Sequence, residues 1–355
     1  MVAGSRAKTN LNLRVPRFSA IWVATALLFA VSPLLASGSV SHSALLSMLP
    51  FAAILAIASI GQTLVIQQRG LDLSVPGMIT LTTIIVTTYP NGSADKLPAA
   101  IGLVALACVV SGLVSGLAIT ALGVTPLVAT LGVNALLTGT YLEITNGASS
   151  SSATPGLARF ALAKSLGIPN TVIIAVIACA VTAIVFRVTV LGRRFVSVGT
   201  SPAAARAAGL RAKTVECMTY VLASLTYGAA GILVAGYLQT PGIGAGDDYL
   251  LPTIAAVVLG GTSLAGGSGS VVATMMGALF LTQLEQVVLG MGAPDSVQLV
   301  IQGAIIALGM ALRHLPSSGL RAAFASVPPH LRSSSAALMT PRRPSGPTPG
   351  SRRDK

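Results

Sequence analysis

Acidic residues are scarce in this chain: nine Asp and Glu stand among 355 residues, and charged residues of both signs make up only 9%. A soluble globular domain carries about 25%, so the composition excludes one. Histidine is nearly missing too. His42, His314 and His330 fall in loops or in the tail, and there is no HExxH, no GxSxG and no pair of carboxylates inside an apolar run. Most hydrolytic and metal-dependent catalysis is thereby excluded. The cysteines Cys108, Cys179 and Cys217 lie at or within apolar runs and never as CxxC, which argues against a disulfide framework or a zinc site. No Walker A loop is present either: the Lys-Ser/Thr pairs at Lys8, Lys164 and Lys213 each follow alanine rather than glycine.

What the chain has in quantity is apolar sequence, 53% hydrophobic residues with a mean hydropathy of +0.82. The pattern predicts an all-α polytopic membrane protein of about ten transmembrane helices, with N- and C-termini cytoplasmic. The expected spans are Ser19–Leu35, Leu45–Ile66, Leu73–Thr88, Pro98–Leu122, Val124–Leu142, Thr171–Phe186, Met218–Leu238, Pro252–Leu264, Val271–Leu289 and Ser296–Leu312. No cleavage site follows the first of these, which reads as a retained helix rather than a signal peptide. The eighth is short and ends in a glycine-rich run, so it reads as broken or re-entrant.

Orientation follows from charge. The stretch Arg187 to Val215 carries Arg187, Arg193, Arg194, Arg206, Arg211 and Lys213, with no acid before Glu216. So basic a loop stays in the cytoplasm. Alternation then leaves only Lys96, Arg159 and Lys164 of the 22 basic residues on the outer side. The net charge of +13 is thus explained by topology, and no aromatic-rich platform accompanies it that would suggest nucleic acid. The domain reading is a cytoplasmic tail over 1–18, a transmembrane domain over 19–312 with its central loop at about 187–215, and a basic, disordered tail over 313–355.

Within the central loop, Ser201 as N-cap and Pro202 at the first helical position open a short helix predicted over Pro202 to Leu210. It reads as a docking helix. Five polar residues are candidates for a translocation path: Gln62, Asp72, Thr130, Asn134 and Glu285. Asp72 has a second reading as the partner of Arg69 in a surface ion pair. Glu285, the acid well inside a predicted span, either reaches water or a neighbour near its helix end or serves ion coupling. Gly260, Gly261, Gly266 and Gly267 read as a tight turn between the eighth and ninth spans.

Four motifs together resemble the permease subunits of bacterial ribose-type ABC importers: GQTLVIQQRGLDLSVPG (61–77), TPLVATLGVNALLTG (125–139), GRRFVSVGTSPAAARAAGL (192–210) and IAAVVLGGTSLAGGSGS (254–270). The resemblance runs from about Leu45 to Leu312. It implies a multi-pass subunit of the bacterial inner membrane that dimerises with a second copy or a paralogue. It also implies docking on a cytoplasmic ABC ATPase, which binds ATP and Mg, and receipt of a monosaccharide or polyol from a periplasmic binding protein. The family's coupling segment matches at Gly199, Ala203, Ala204 and Gly209, with Ser201, Pro202, Arg206 and Leu210 beside them. Arg69 stands where the family commonly has glycine, and Tyr249 to Thr253 lack two acids usual in the family. Relatives that carry branched-chain amino acids, nucleosides or autoinducers are alternatives within the class. Outside it stands an ion-coupled secondary transporter using Glu285.

Overall fold

The computed structural model describes residues 18–148 and 151–314; the N-terminal residues before 18 and those after 314, expected as tails, lie outside the described residues. Within them the regular structure is α-helical, apart from a two-residue antiparallel pairing of Lys164–Ser165 with Ile168–Pro169 and two 3-10 turns at Ala94–Lys96 and Asp247–Tyr249. The helices are α1 (Ser19–Leu35), α2 (His42–Gln67), α3 (Val75–Thr88), α4 (Leu97–Thr120), α5 (Pro126–Thr145), α6 (Pro155–Leu162) and α7 (Asn170–Val188). Then follow α8 (Val190–Thr200), α9 (Pro202–Ala207), α10 (Ala212–Leu238), α11 (Leu250–Leu259), α12 (Val271–Gly290) and α13 (Asp295–His314). Six of them, α2, α4, α5, α7, α10 and α12, are long and apolar enough to cross a membrane. The chain is an all-α polytopic membrane protein.

The helix ends follow local chemistry. Ser41, Thr154, Thr189, Ser201 and Ser270 each accept a backbone N–H of the helix they precede, which satisfies one of its orphan donors. Around the central loop the structure differs from the sequence expectation in three ways. The predicted helix over Pro202 to Leu210 stops at Ala207, because Gly209 turns left-handed (φ 79°) and the N–H groups of Gly209 and Leu210 return to Arg206 and Ala205. A further helix, α8, precedes it. Gly192, Phe195, Val198 and Gly199 recur at helical spacing and are buried, and this stripe outweighs the flanking arginines. Finally, α10 starts at Ala212, six residues before the expected Met218, so Glu216 is helical.

The bundle is organised on two antiparallel helices, α2 and α10. The apolar window of α2 is 67% buried, against 17% for the peripheral α7. Gly61 of α2 lies at the level of Ala223 and Tyr227 of α10, and Val65, one turn later, reaches the level of Tyr220. Close approach explains the small residues. A Cβ at Gly112 or Gly116 of α4 would strike the backbone of Val221 or Cys217 in α10, and one at Gly277 of α12 the carbonyl of Ala256 in α11.

The order of helix lengths recurs. The quartet α2 to α5 has 26, 14, 24 and 20 residues, and α10 to α13 has 27, 10, 20 and 20. The leading helices are antiparallel, so the two quartets enter the bundle from opposite ends. The second member of each is too short to cross alone. At 1.5 Å per residue α3 rises about 21 Å and α11 about 15 Å, against an apolar core of about 30 Å. α3 starts inside the bundle, with Val75 to Met78 buried, and in the loop that leads to α11 the amide of Gly246 donates to Thr80 Oγ1 of α3 at 2.9 Å.

Gly112→Leu is expected to force α4 and α10 apart and to cost about 1–3 kcal/mol. Gly102→Leu, on the open face of the same helix with nothing near its Cβ direction, is expected to stay within about 0.5 kcal/mol of wild type. Thermal unfolding of the purified variants in one detergent checks both.

Candidate functional site

Between α2 and α3 the chain is unwound from Gln68 to Ser74 and yet largely buried: Arg69 is exposed and Leu71 and Leu73 half-buried, but Asp72 is 1% exposed. Backbone groups in such a place need partners, and three of the expected path residues supply them. Thr130 Oγ1 of α5 accepts the amide of Leu73 at 3.0 Å, and Asn134 Oδ1, one turn later, accepts that of Gly77 at 2.9 Å. Asp72 accepts both the amide and the hydroxyl of Ser74, at 2.9 and 2.6 Å. The fourth residue, Gln62, takes the Tyr227 hydroxyl on its Oε1 at 3.1 Å. Its Nε2 is buried without a hydrogen-bond partner.

Asp72 therefore does not make the surface ion pair offered as its alternative reading. Arg69 instead directs its guanidinium to the end of α8, donating to the carbonyl of Gly199 from Nε at 3.0 Å and to that of Thr200. The physical reason is geometric: Asp72 is held by Ser74 inside the bundle, whereas Arg69 sits on the exposed side of the helix end.

Three of the sequence motifs meet here. The amide of Gly267 donates to Gln67 O at 2.9 Å, and Gln68 Nε2 donates to Phe195 O at 2.9 Å. A Cβ on Gly199 would collide with Gln67 O, and one on Gly267 with the Thr200 side chain; at Gly266 it would lie 2.6 Å from Gly199 O. The end of α2, the end of α8 and the glycine turn are thus in backbone contact. Of the other two turn glycines, Gly261 is left-handed at the end of α11 and Gly260 abuts Thr274 of α12.

Beyond the junction, α9 turns outward. Ala203, Ala204, Arg206 and Gly209 are exposed, Ser201, Pro202 and Leu210 half-buried, while Ala205 packs inward with Val198 and Ala212. Arg206, Arg211 and Lys213 ring this small-residue surface and are exposed. Glu285 is not part of the cluster around the break. It lines a cavity of about 10 Å³ with Gln298 and Gln302 of α13, room for about one water. An apolar groove of about 350 Å³, bounded by Leu97, Phe160, Ile174 and Leu233 among others, touches none of the path candidates. Gln67, Gln68, Thr200 and Tyr227 were not singled out by sequence reading. The one available signal was Arg69, a non-glycine residue at a position where a helix ends left-handed.

Residues 44–310 match the family described as branched-chain amino acid transport system / permease component. The chain is 31% identical over 292 residues to the ribose import permease protein RbsC of Escherichia coli (strain K12), covering 81% of this chain and 91% of that protein. It is 32% identical over 259 residues to the galactofuranose transporter permease protein YtfT of the same strain, 72% of this chain and 75% of that one. It is also 30% identical over 257 residues to the autoinducer 2 import system permease protein LsrD of Escherichia coli O9:H4 (strain HS), 70% and 77%. No solved structure matches the chain.

Asn134→Ala is expected to strand the buried amide of Gly77 and to cost about 1–3 kcal/mol. Thr140→Ala on the same helix, whose hydroxyl bonds only its own Leu136 carbonyl, is expected to change stability by less than about 0.5 kcal/mol. Chemical denaturation of the two variants side by side measures the difference.

Proposed function

Since the chain belongs to the branched-chain amino acid transport system permease family, and so is a transport subunit rather than an enzyme, we propose that it is the membrane subunit of an ATP-driven importer for a monosaccharide or related polyol. In this reading residues 19–312 form ten spans in the bacterial inner membrane, and 1–18 and 313–355 are cytoplasmic tails. A separate ABC ATPase binds ATP and Mg, a periplasmic binding protein delivers the solute, and a second permease copy or paralogue completes the path.

The observation that carries this reading is the junction. The exposed alanines of α9 allow close seating in a groove, and Arg206, Arg211 and Lys213 are placed to pair with acids at its rim. Closure of an ATPase dimer under α9 would push on α8, and α8 is in backbone contact with the end of α2 and the turn before α12. Those segments adjoin the two short helices, α3 and α11. Tilting them would open the region now closed by Gln62, Asp72, Thr130 and Asn134, giving alternating access.

A neutral polyhydroxylated solute suits that region. Its hydrogen-bonding groups are amides, hydroxyls and one carboxylate already engaged by Ser74, and the amides of Ser74, just before α3, and of Gly77, in its first turn, are taken by Asp72 and Asn134. An anionic solute would find no opposite fixed charge among these four residues, and the one carboxylate is already engaged by Ser74. The names of RbsC and YtfT, which carry ribose and galactofuranose, point the same way.

Affinity purification of the tagged chain from its own host, in mild detergent, is expected to recover an ATP-binding subunit. Ala204→Trp, which alters only an exposed position, is expected to lower that recovery at least about tenfold while leaving the chain folded. Recovery of no ATPase, together with uptake by the chain alone that collapses with the ion gradient, would replace this reading with the ion-coupled one.

A further inference from the structure

The end of α2 departs from the other helix ends of its type. In α9, α11 and α12 the residue that turns left-handed after the helix is glycine, Gly209, Gly261 and Gly292, and in α5 it is Asn146. Each is closed by the same pair of returning amides, a motif in which glycine is usual and asparagine tolerated. In α2 the position is held by Arg69, at φ 67°. Its amide returns to Ile66 O at 2.9 Å and that of Gly70 to Val65 O at 3.1 Å. A side chain with a Cβ is disfavoured in this backbone conformation, so whatever keeps arginine there acts through its side chain.

That side chain ends on α8. The last carbonyls of a helix have no partner within it, and they carry the negative end of its dipole. Arg69 fills two of them, Gly199 and Thr200. The next residue, Ser201, accepts the amide of Ala204 and so begins α9. Three residues beyond Arg69 lies Asp72, within the buried unwound segment. One guanidinium therefore bridges the joint between α8 and α9 to the start of the break.

We propose that Arg69 is a positioning residue that makes this joint and the break at Leu71–Ser74 move together, so that it governs how nucleotide-driven motion reaches the path rather than whether the protein folds. The proposal rests on the reading of α9 as the docking helix. The other contacts of the junction do not need Arg69: Gly267 still donates to Gln67, and Gln68 to Phe195. Replacement by glycine removes the bridge and at the same time relieves the backbone, which separates coupling from stability.

The test compares wild type, Arg69→Gly and Arg69→Lys in the assembled transporter, by hydrogen–deuterium exchange with and without Mg-ATP and orthovanadate. In wild type, exchange is expected to change both over residues 202–210 and over 70–74. In Arg69→Gly the response at 202–210 is expected to persist while that at 70–74 falls at least about threefold. Arg69→Lys, with one cation and no fork, is expected to restore part of it, and the melting temperature of Arg69→Gly is expected to be equal to or above that of wild type. An undiminished response at 70–74 overturns the proposal, and so does a lowered melting temperature, which would make Arg69 merely structural. If wild type binds no ATPase, the proposed function fails instead, and the isolated chain decides: Arg69→Gly raising exchange in both segments supports the bridge, and unchanged exchange at 202–210 refutes it.

Discussion

A polypeptide unwound among membrane helices must find every backbone partner within the protein, because a bilayer offers none. The segment Gln68–Ser74 is the place where this chain meets that constraint, and much of the fold answers it. Thr130 and Asn134 on α5, Asp72 and Ser74 within the segment, and the returning amides of Arg69 and Gly70 are all hydrogen bonds that an uninterrupted helix would not require. The break stops α3 from being one long span. It starts inside the bundle instead, beside the loop that leads into the still shorter α11.

Glycine supplies the second requirement, contact without intervening side chains. Along α4 and α10 it lets two spanning helices lie together, and at the junction it lets the ends of α2 and α8 and the turn before α12 touch through backbone. Packed surfaces of this kind transmit displacement because they have little room to deform. A junction held mainly by carbonyls and amides also leaves the exposed side of α9 free to be shaped for another protein. The family match over residues 44–310 places this architecture among permease components.

Much of this was legible in the sequence, and what was missed has physical causes. The apolar runs marked the six long helices to within about six residues, since length and hydropathy depend on the bilayer alone. The basic stretch marked the loop between α7 and α10. Yet its arginines obscured α8, whose buried stripe of Gly192, Phe195, Val198 and Gly199 is short and half glycine. Thr130 and Asn134 stood out as polar residues in an apolar run, but sequence distance hid that both serve a segment 57 positions earlier. The same blindness paired Asp72 with the nearest cation in sequence, whereas Arg69 reaches 130 residues away to Gly199. Short-range pattern identifies which residues are unusual; only the folded chain shows what they hold.

If the junction moves as one body, distances inside it stay constant while distances across the path change. Pulsed dipolar spectroscopy on the assembled transporter tests this most directly, with spin labels at the exposed positions Ser197 on α8 and Ala265 in the glycine turn, and a third at Asn91 in the loop after α3. Addition of Mg-ATP is expected to leave the Ser197–Ala265 distance unaltered and to shift the distance from either label to Asn91. A change between Ser197 and Ala265 of the same size as the shift to Asn91 would contradict it, since the end of α8 and the glycine turn would then be moving independently.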